Sequence, residues 1–239
     1  HELYKSKVDE IKKKYKKFIL INSNFVTNNH GAGHEYLFCN PLIENGKGRL
    51  GIVNNFVYCS KQFSSMVQLI HNLAIKFPEL NFIYRPHPWR ETFGRIIKPP
   101  KGIIIDPTLT KDSETYGSML LPKLDLYKHI ISNSNLIIGG CTSMIIECSL
   151  LKKPYLLLAH DDGNPIQSPF EYYKASEHQN LTAILNNVSV CFSTDTLHEK
   201  INYLLNKKIL DNDPVLEYII SSKYSRFDYH LNELVEEIS

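Results

Sequence analysis

Several large functional classes are closed to this chain by what it lacks. Its cysteines number only five (Cys39, Cys59, Cys141, Cys148, Cys191), an odd count with no CxxC spacing. That argues against a disulfide framework or a zinc site and fits reduced thiols in a cytoplasmic setting. The two Asn-x-Ser/Thr sequons, at Asn180 and Asn187, then read as chance matches. No apolar run reaches the ~18 residues of a membrane span, and no segment reads as a signal peptide. Charge of one sign is not in excess: 27 Lys and Arg face 25 Asp and Glu, a net +2. With no basic motif carrying interleaved aromatics, nucleic acid is not an expected partner. The chain has no P-loop, no GxGxxG, no Ser-His-Asp order, no repeat and no low-complexity tract.

What is present is an ordinary globular composition, 43% apolar and 22% charged over 239 residues, enough for a full core. Residues 1–16 form a charged lead-in helix or linker with a lysine run (Lys5, Lys7, Lys12, Lys13, Lys14, Lys16, Lys17). Such a run is ordinarily a solvated face; the rival reading is a weak electrostatic contact with an anionic membrane, as a peripheral protein, or with nucleic acid. Residues 17–239 read as one domain. Apolar strands are expected at Phe18–Ile21, Phe82–Tyr84, Gly102–Asp106, Leu136–Ile138, Tyr155–Leu158 and Val188–Phe192. Helices are expected over Ser64–Phe77, where Met66, Leu69, Ile70, Leu73, Ala74 and Phe77 keep helical spacing, and over Pro122–Ser132 and 142–152. Thr194-Asp-Thr196 should cap a further helix to Asn206, and another should begin at Pro214. Continuously apolar strands alternating with amphipathic helices predict an α/β fold, a doubly wound Rossmann-like parallel sheet. Ligands of such sheets bind outside the strand carboxyl ends.

Two segments occupy that edge. The first, Asn135-Leu-Ile-Ile-Gly-Gly-Cys-Thr-Ser-Met-Ile-Ile-Glu147, is a strand, a Gly-Gly turn and a helix start. Gly139 and Gly140 would let the backbone approach a ligand. Thr142 or Ser143 stands where an N-cap belongs, beside the helix N–H groups and the positive end of its dipole, an arrangement that suits a phosphate but equally serves plain capping. Glu147, four residues beyond Ser143, shares its helix face. Cys141 beside the turn is either a reactive thiol or a small packed residue. The second segment, Phe82-Ile-Tyr-Arg-Pro-His-Pro-Trp-Arg90, is a strand ending in a basic loop. The two prolines fix the backbone around His87, while Arg85 and Arg90 either neutralise phosphates or serve as ordinary ion-pair partners. The loop after the first strand adds Asn24, His30, Gly31 and His34. The two histidines are spaced i, i+4, but the glycines between them argue against the helix a metal site would need. Asp161, Asp162 and Gly163 form a further polar loop.

Arg85-Pro-His-Pro88, followed by Gly-Gly-Cys-Thr-Ser-x-x-x-Glu147 and Lys153-Pro154, resembles the donor-binding, C-terminal half of GT-B glycosyltransferases. The likeness is to bacterial surface-carbohydrate enzymes: CDP-glycerol glycerophosphotransferases, capsule Kdo transferases and bacterial sialyltransferases. It runs over about residues 17–239 and includes Tyr224-Ser-Arg-Phe-Asp228. The resemblance implies a nucleotide-sugar donor of CMP or CDP type, a glycan or glycolipid acceptor, and no required metal or other cofactor. It implies that His87 hydrogen-bonds a nucleotide phosphate and stabilises the leaving charge, that Pro88 contacts the base, and that Thr142 and Ser143 hold phosphate. Glu147 would accept from ribose hydroxyls, and Asn24 would lie by the phosphates or acceptor. It also implies an N-terminal GT-B domain or partner subunit that supplies the acceptor site and the catalytic base. Two alternatives stay open. One is a UDP-GlcNAc 2-epimerase-like enzyme, whose Ser-Gly-Gly-x-x-x-Glu-Glu pattern is poorly matched here. The other is a non-catalytic nucleotide-binding or scaffold module of a capsule protein.

Overall fold

The computed structural model describes residues 2–23, 65, 68–85, 103–106, 109–111, 120–122, 124–161, 168–175, 182–209 and 213–220. Six strands form one parallel sheet: β1 (Phe18–Asn22), β2 (Asn81–Arg85), β3 (Ile103–Ile105), β6 (Leu136–Gly139), β7 (Tyr155–Leu158) and β8 (Val188–Cys191). Between β3 and β6 the chain makes an antiparallel hairpin, β4 (Leu109–Lys111) with β5 (Leu120–Pro122), which no alternation in the sequence announced. The helices are α1 (Glu2–Tyr15), α2 (residues 68–76), α3 (Leu124–Asn133), α4 (Met144–Leu150), α5 (Pro169–Ala175), α6 (Leu197–Asn206) and α7 (Pro214–Ile220). Among the described residues no helix is long and apolar enough to cross a membrane.

The sheet runs β3-β2-β1-β6-β7-β8. With the hairpin set aside this is the order 3-2-1-4-5-6 of Rossmann folds. The chain winds outward from β1 in one direction and then, starting at β6, in the other. The strands are buried on both faces, which is why they read as unbroken apolar runs. Alternate residues serve opposite layers. Ile19 and Ile21 of β1 join Ile70, Leu73, Phe77, Ile201 and Leu204 beneath α2 and α6. Phe18 and Leu20 join Ile130, Ile131, Met144, Ile145 and Cys148 beneath α3 and α4.

The lead-in helix belongs to this second layer, because Ile11 and Tyr15 of α1 are buried in it. Lys12, Lys13 and Lys14 remain exposed. α1 stops at Lys16, whose backbone is left-handed (φ 43°), a helix ending more usual for glycine. Three asparagines then fasten the amino ends of the strands. Asn81 Nδ2 donates to the Tyr15 carbonyl at 2.9 Å, and Asn135 Oδ1 accepts from the Phe18 N–H at 3.0 Å. Asn187, 1% exposed, donates to the Lys153 carbonyl at 2.7 Å and accepts from the Ser149 hydroxyl at 2.6 Å. This buried, fully engaged amide makes the second sequon a structural residue. On the last turn Ser193, one residue before the expected Thr194, accepts from the Asp195 N–H at 3.2 Å to open the 3-10 turn Thr194–Thr196 that leads into α6. Asp213 caps α7 through the N–H groups of Val215 and Leu216.

Candidate functional site

In a sheet of this order the crevice lies where winding reverses, outside the carboxyl ends of β1 and β6. The register is level there: Asn22 pairs with Arg85 on one side and with Gly139 on the other. The sequence-selected turn Gly139–Ser143 therefore sits at the reversal, with the end of β2 one strand away, about 4.8 Å from β1.

The left wall of the crevice is stitched by buried polar groups. Tyr84 donates its O–H to Ser23 Oγ at 3.0 Å, and Ser23 donates both its hydroxyl (3.3 Å) and its N–H (3.1 Å) to the Arg85 carbonyl. Burial pushes the Tyr84 phenol up to about 12, with the bond to Ser23 offsetting part of the effect. The Asp106 N–H donates to the Tyr84 carbonyl at 2.8 Å, and its carboxylate pairs with Arg85 Nη1 at 2.5 Å. The side chains of this ion pair are 5% and 0% exposed. Arg85 is thus a buried, paired cation that fixes the ends of β2 and β3 relative to each other, the ion-pair member of the two roles its position allowed. Sequence reasoning missed Asp106 as its partner; a carboxylate directly after the apolar run Ile103–Ile105 was the available signal.

The right wall is the Gly-Gly turn, and its glycines answer to the protein itself. A Cβ on Gly139 would collide with the Tyr155 hydroxyl and stand 2.9 Å from the Asn22 carbonyl oxygen. Tyr155, fully buried at the start of β7, donates its O–H to the Gly140 carbonyl at 2.8 Å. The missing side chain at Gly139 therefore makes room for a tyrosine prop beneath the turn. A buried tyrosine needs a partner for its hydroxyl, so the lone Tyr in Tyr155-Leu-Leu-Leu158 was a legible hint.

Past the turn, Thr142 and Ser143 divide the roles offered to them. Thr142 Oγ1 accepts from the Met144 N–H at 3.0 Å, and the Thr142 and Ser143 carbonyls accept from Ile145 (3.2 Å) and Ile146 (3.0 Å). The cap is Thr142, and the N–H groups of the first α4 residues are engaged within the helix start. Ser143 makes no side-chain cap bond and is exposed. Gly140 and Glu147 are half-buried, with Glu147 one turn along α4 from Ser143. Cys141 is 7% exposed and burial pushes its thiol up to about 11, which makes it the packed residue and not an activated nucleophile. His160, half-buried, and Asp161, exposed, follow β7 on the same edge. His87, Pro88, Arg90, Asn24, His30, His34, Asp162 and Gly163 lie outside the described residues. Among the described residues no group of three or more His, Cys, Asp or Glu could hold a metal ion.

The structure thus brings Gly140, Thr142, Ser143 and Glu147 together beside the ends of β1 and β2, with Arg85 underneath as a strut. Neither a family model nor a curated protein matches the chain. Among solved structures it is similar to the UDP-GlcNAc 2-epimerase of Methanocaldococcus jannaschii in complex with UDP-GlcNAc and UDP, at 13% identity and TM-score 0.49, over 92% of this chain and 48% of that one. It is similar also to S. aureus MnaA in a structure with UDP, at 14% identity and TM-score 0.41, over 82% of this chain and 39% of that one. The chain spans about half the length of these proteins or less.

Proposed function

We propose that the chain is the donor-nucleotide-binding domain of a GT-B transferase of surface-carbohydrate synthesis, using a CMP- or CDP-activated donor. The observation that carries the reading is the coincidence of the strand-order reversal with the turn Gly139–Ser143, since nucleotides bind such sheets at that point. The Ser143 hydroxyl, exposed at the lip, is the group we assign to the phosphate. The Thr142 hydroxyl can add its proton while its oxygen remains the cap acceptor. Glu147, one turn further on, is placed to accept from sugar hydroxyls. In transfer, these fixed donors would stabilise charge growing on the departing phosphate, with His87 of the Arg-Pro-His-Pro segment contributing a further hydrogen bond. The acceptor site and the catalytic base would come from a further domain or a partner subunit.

Calorimetric titration with CMP, CDP, UDP and GDP tests the reading. Saturable binding of a cytidine nucleotide is expected, weakened tenfold or more by Ser143→Ala and by His87→Ala, at least ~1.4 kcal/mol. A preference for UDP would replace the cytidine-linked donor with a UDP-sugar, for hexose transfer or 2-epimerisation. A folded sample that binds none of the four would leave the scaffold reading.

A further inference from the structure

The opposite edge of the sheet carries a different chemistry, gathered from three distant parts of the chain. Lys16-Lys17 immediately precede β1, and Lys152-Lys153 lie just before β7. Lys207-Lys208 follow α6, which returns the chain to the same edge. There the Lys207 ammonium donates to the Asn186 carbonyl at 2.7 Å, ahead of β8. Three Lys-Lys doublets thus stand along one side of the molecule, and the last turn of α1 adds Lys12, Lys13 and Lys14. The doublets are physically continuous. Asn187, next to Asn186, donates to the Lys153 carbonyl at 2.7 Å. Burial lowers the Lys153 pKa, and the positive field of Lys12 adds to it in the same direction. Between β1 and β7 the edge is completed by the neutral pair Ser134-Asn135. One buried carboxylate belongs to this edge: Asp213 accepts from the Asn186 N–H at 2.6 Å, beside the Lys207 contact, while Asp9 and Glu10 lie further back on α1 and Glu79 beside β2. All of these lysines are exposed except Lys153 and Lys207, which are half-buried.

A chain of net charge +2 has no electrostatic reason to place nine lysines together, and their mutual repulsion opposes folding. We propose that this amino-terminal edge of the sheet is a docking surface for an anionic lipid membrane. Three features select lipid. The cations are all lysines, compact hydrated charges suited to diffuse attraction by a charged plane, where arginine forks would suit phosphate-by-phosphate recognition of nucleic acid. Among the described residues the edge shows one exposed ring, Tyr203 under the Lys207 ammonium at 5.5 Å, while Tyr15 is buried, and a single ring is not the row of rings on which successive bases stack. Finally, the doublets belong to a single sheet edge, so they can approach a plane together within the Debye length of about 8 Å at physiological salt. Docking by this edge leaves the crevice, one strand length away, facing the aqueous side. The inference does not depend on which nucleotide the crevice takes.

The test is co-sedimentation of the full chain with vesicles of phosphatidylcholine alone and of phosphatidylcholine with phosphatidylglycerol, at low and at physiological salt. Binding only to the anionic vesicles, weakening as salt rises, is expected. Each lysine near such a surface is worth about fivefold in affinity. The pair Lys13→Glu with Lys17→Glu and the sequence-distant pair Lys152→Glu with Lys208→Glu should therefore each reduce binding at least tenfold. Unchanged urea midpoints and nucleotide affinities in these variants would show that fold and crevice survive. Equal binding to neutral vesicles, or full binding by the second pair of variants, would overturn the proposal. So would tighter binding to duplex DNA or RNA than to anionic vesicles.

Discussion

The two edges of this sheet are built from the same six strands and solve opposite problems. At the carboxyl edge a set of polar side chains beneath the exposed Ser143 are bound to one another or to backbone: Arg85 to Asp106, Tyr84 to Ser23, Tyr155 to the Gly140 carbonyl, Thr142 to the Met144 N–H. Among the described residues directly following a strand there, none is a lysine. At the amino edge it is the backbone that is fastened, by Asn81, Asn135 and Asn187, and the charged side chains project outward. A site that positions a ligand needs groups whose geometry is fixed before the ligand arrives. A surface that attracts a charged plane needs only charge. Precision at one edge and a field at the other is the division of labour the fold provides.

The sharpest break in that comparison is the buried ion pair. Arg85→Ala should leave Asp106 uncompensated in a site with 0% side-chain exposure and cost about 3–5 kcal/mol, read as a fall in the urea midpoint. Lys13→Ala at the opposite edge should move stability by less than about 0.5 kcal/mol. A small loss on Arg85→Ala would mean that the carboxyl edge is held by something other than this pair.

A somewhat smaller effect is expected at the Gly-Gly turn. Gly139→Ala forces its new methyl group against Tyr155 and the Asn22 carbonyl, an overpacking worth about 1–3 kcal/mol. Tyr155→Phe alone should cost about 1 kcal/mol by removing the bond to Gly140. Combined with Gly139→Ala it should recover part of the loss, because the colliding oxygen is gone. Strict additivity of the two losses in a denaturation cycle would show that the tyrosine does not prop the turn.

The elements of the sheet were largely legible because a strand buried on both faces leaves an unmistakable apolar run. Tyr155–Leu158 begins and ends where the sequence placed it, and Phe18, Phe82, Leu136 and Val188 all lie in strands as expected. The hairpin β4–β5 was not legible, since its three-residue strands are too short to show a period. Nor was the short helix Pro169–Ala175 anticipated. The site divides in the same way. The turn Gly139–Ser143 could be found from residue types, but its physical reasons could not. Gly139 looked like an opening for ligand and proves to accommodate Tyr155, which lies sixteen residues further on and reaches the turn only through the neighbouring strand. The convergence of Lys16-Lys17, Lys152-Lys153 and Lys207-Lys208 was invisible for the same reason. Each doublet is unremarkable alone, and only strand order makes them neighbours.

Thr142 and Ser143 give a finer test, since they differ in stability and not in residue class. Thr142→Ala removes the acceptor for the Met144 N–H and should cost about 1 kcal/mol of stability, together with some nucleotide affinity. Ser143→Ala removes no cap bond and should leave the urea midpoint within about 0.5 kcal/mol, so that any loss of nucleotide affinity belongs to ligand contact. If the two substitutions destabilise equally, the capping assignment is wrong, and the division of roles at the crevice lip falls with it.

The smallest expected effect is a silence at Cys141. Its thiol, pushed up to about 11 by burial, should react with iodoacetamide at pH 8 far more slowly in the folded chain than in urea, as read by peptide mapping of that site. The sign follows from which state holds the proton. The folded form keeps it while the unfolded thiol loses it near pH 9, so this contribution to stability is complete below that pH and is lost as pH rises toward 11. A folded protein alkylated at Cys141 as fast as an unfolded one would show that the turn opens readily. The crevice would then have to be formed by its ligand, and the contrast between a preorganised edge and a merely charged one would not hold in the unbound state.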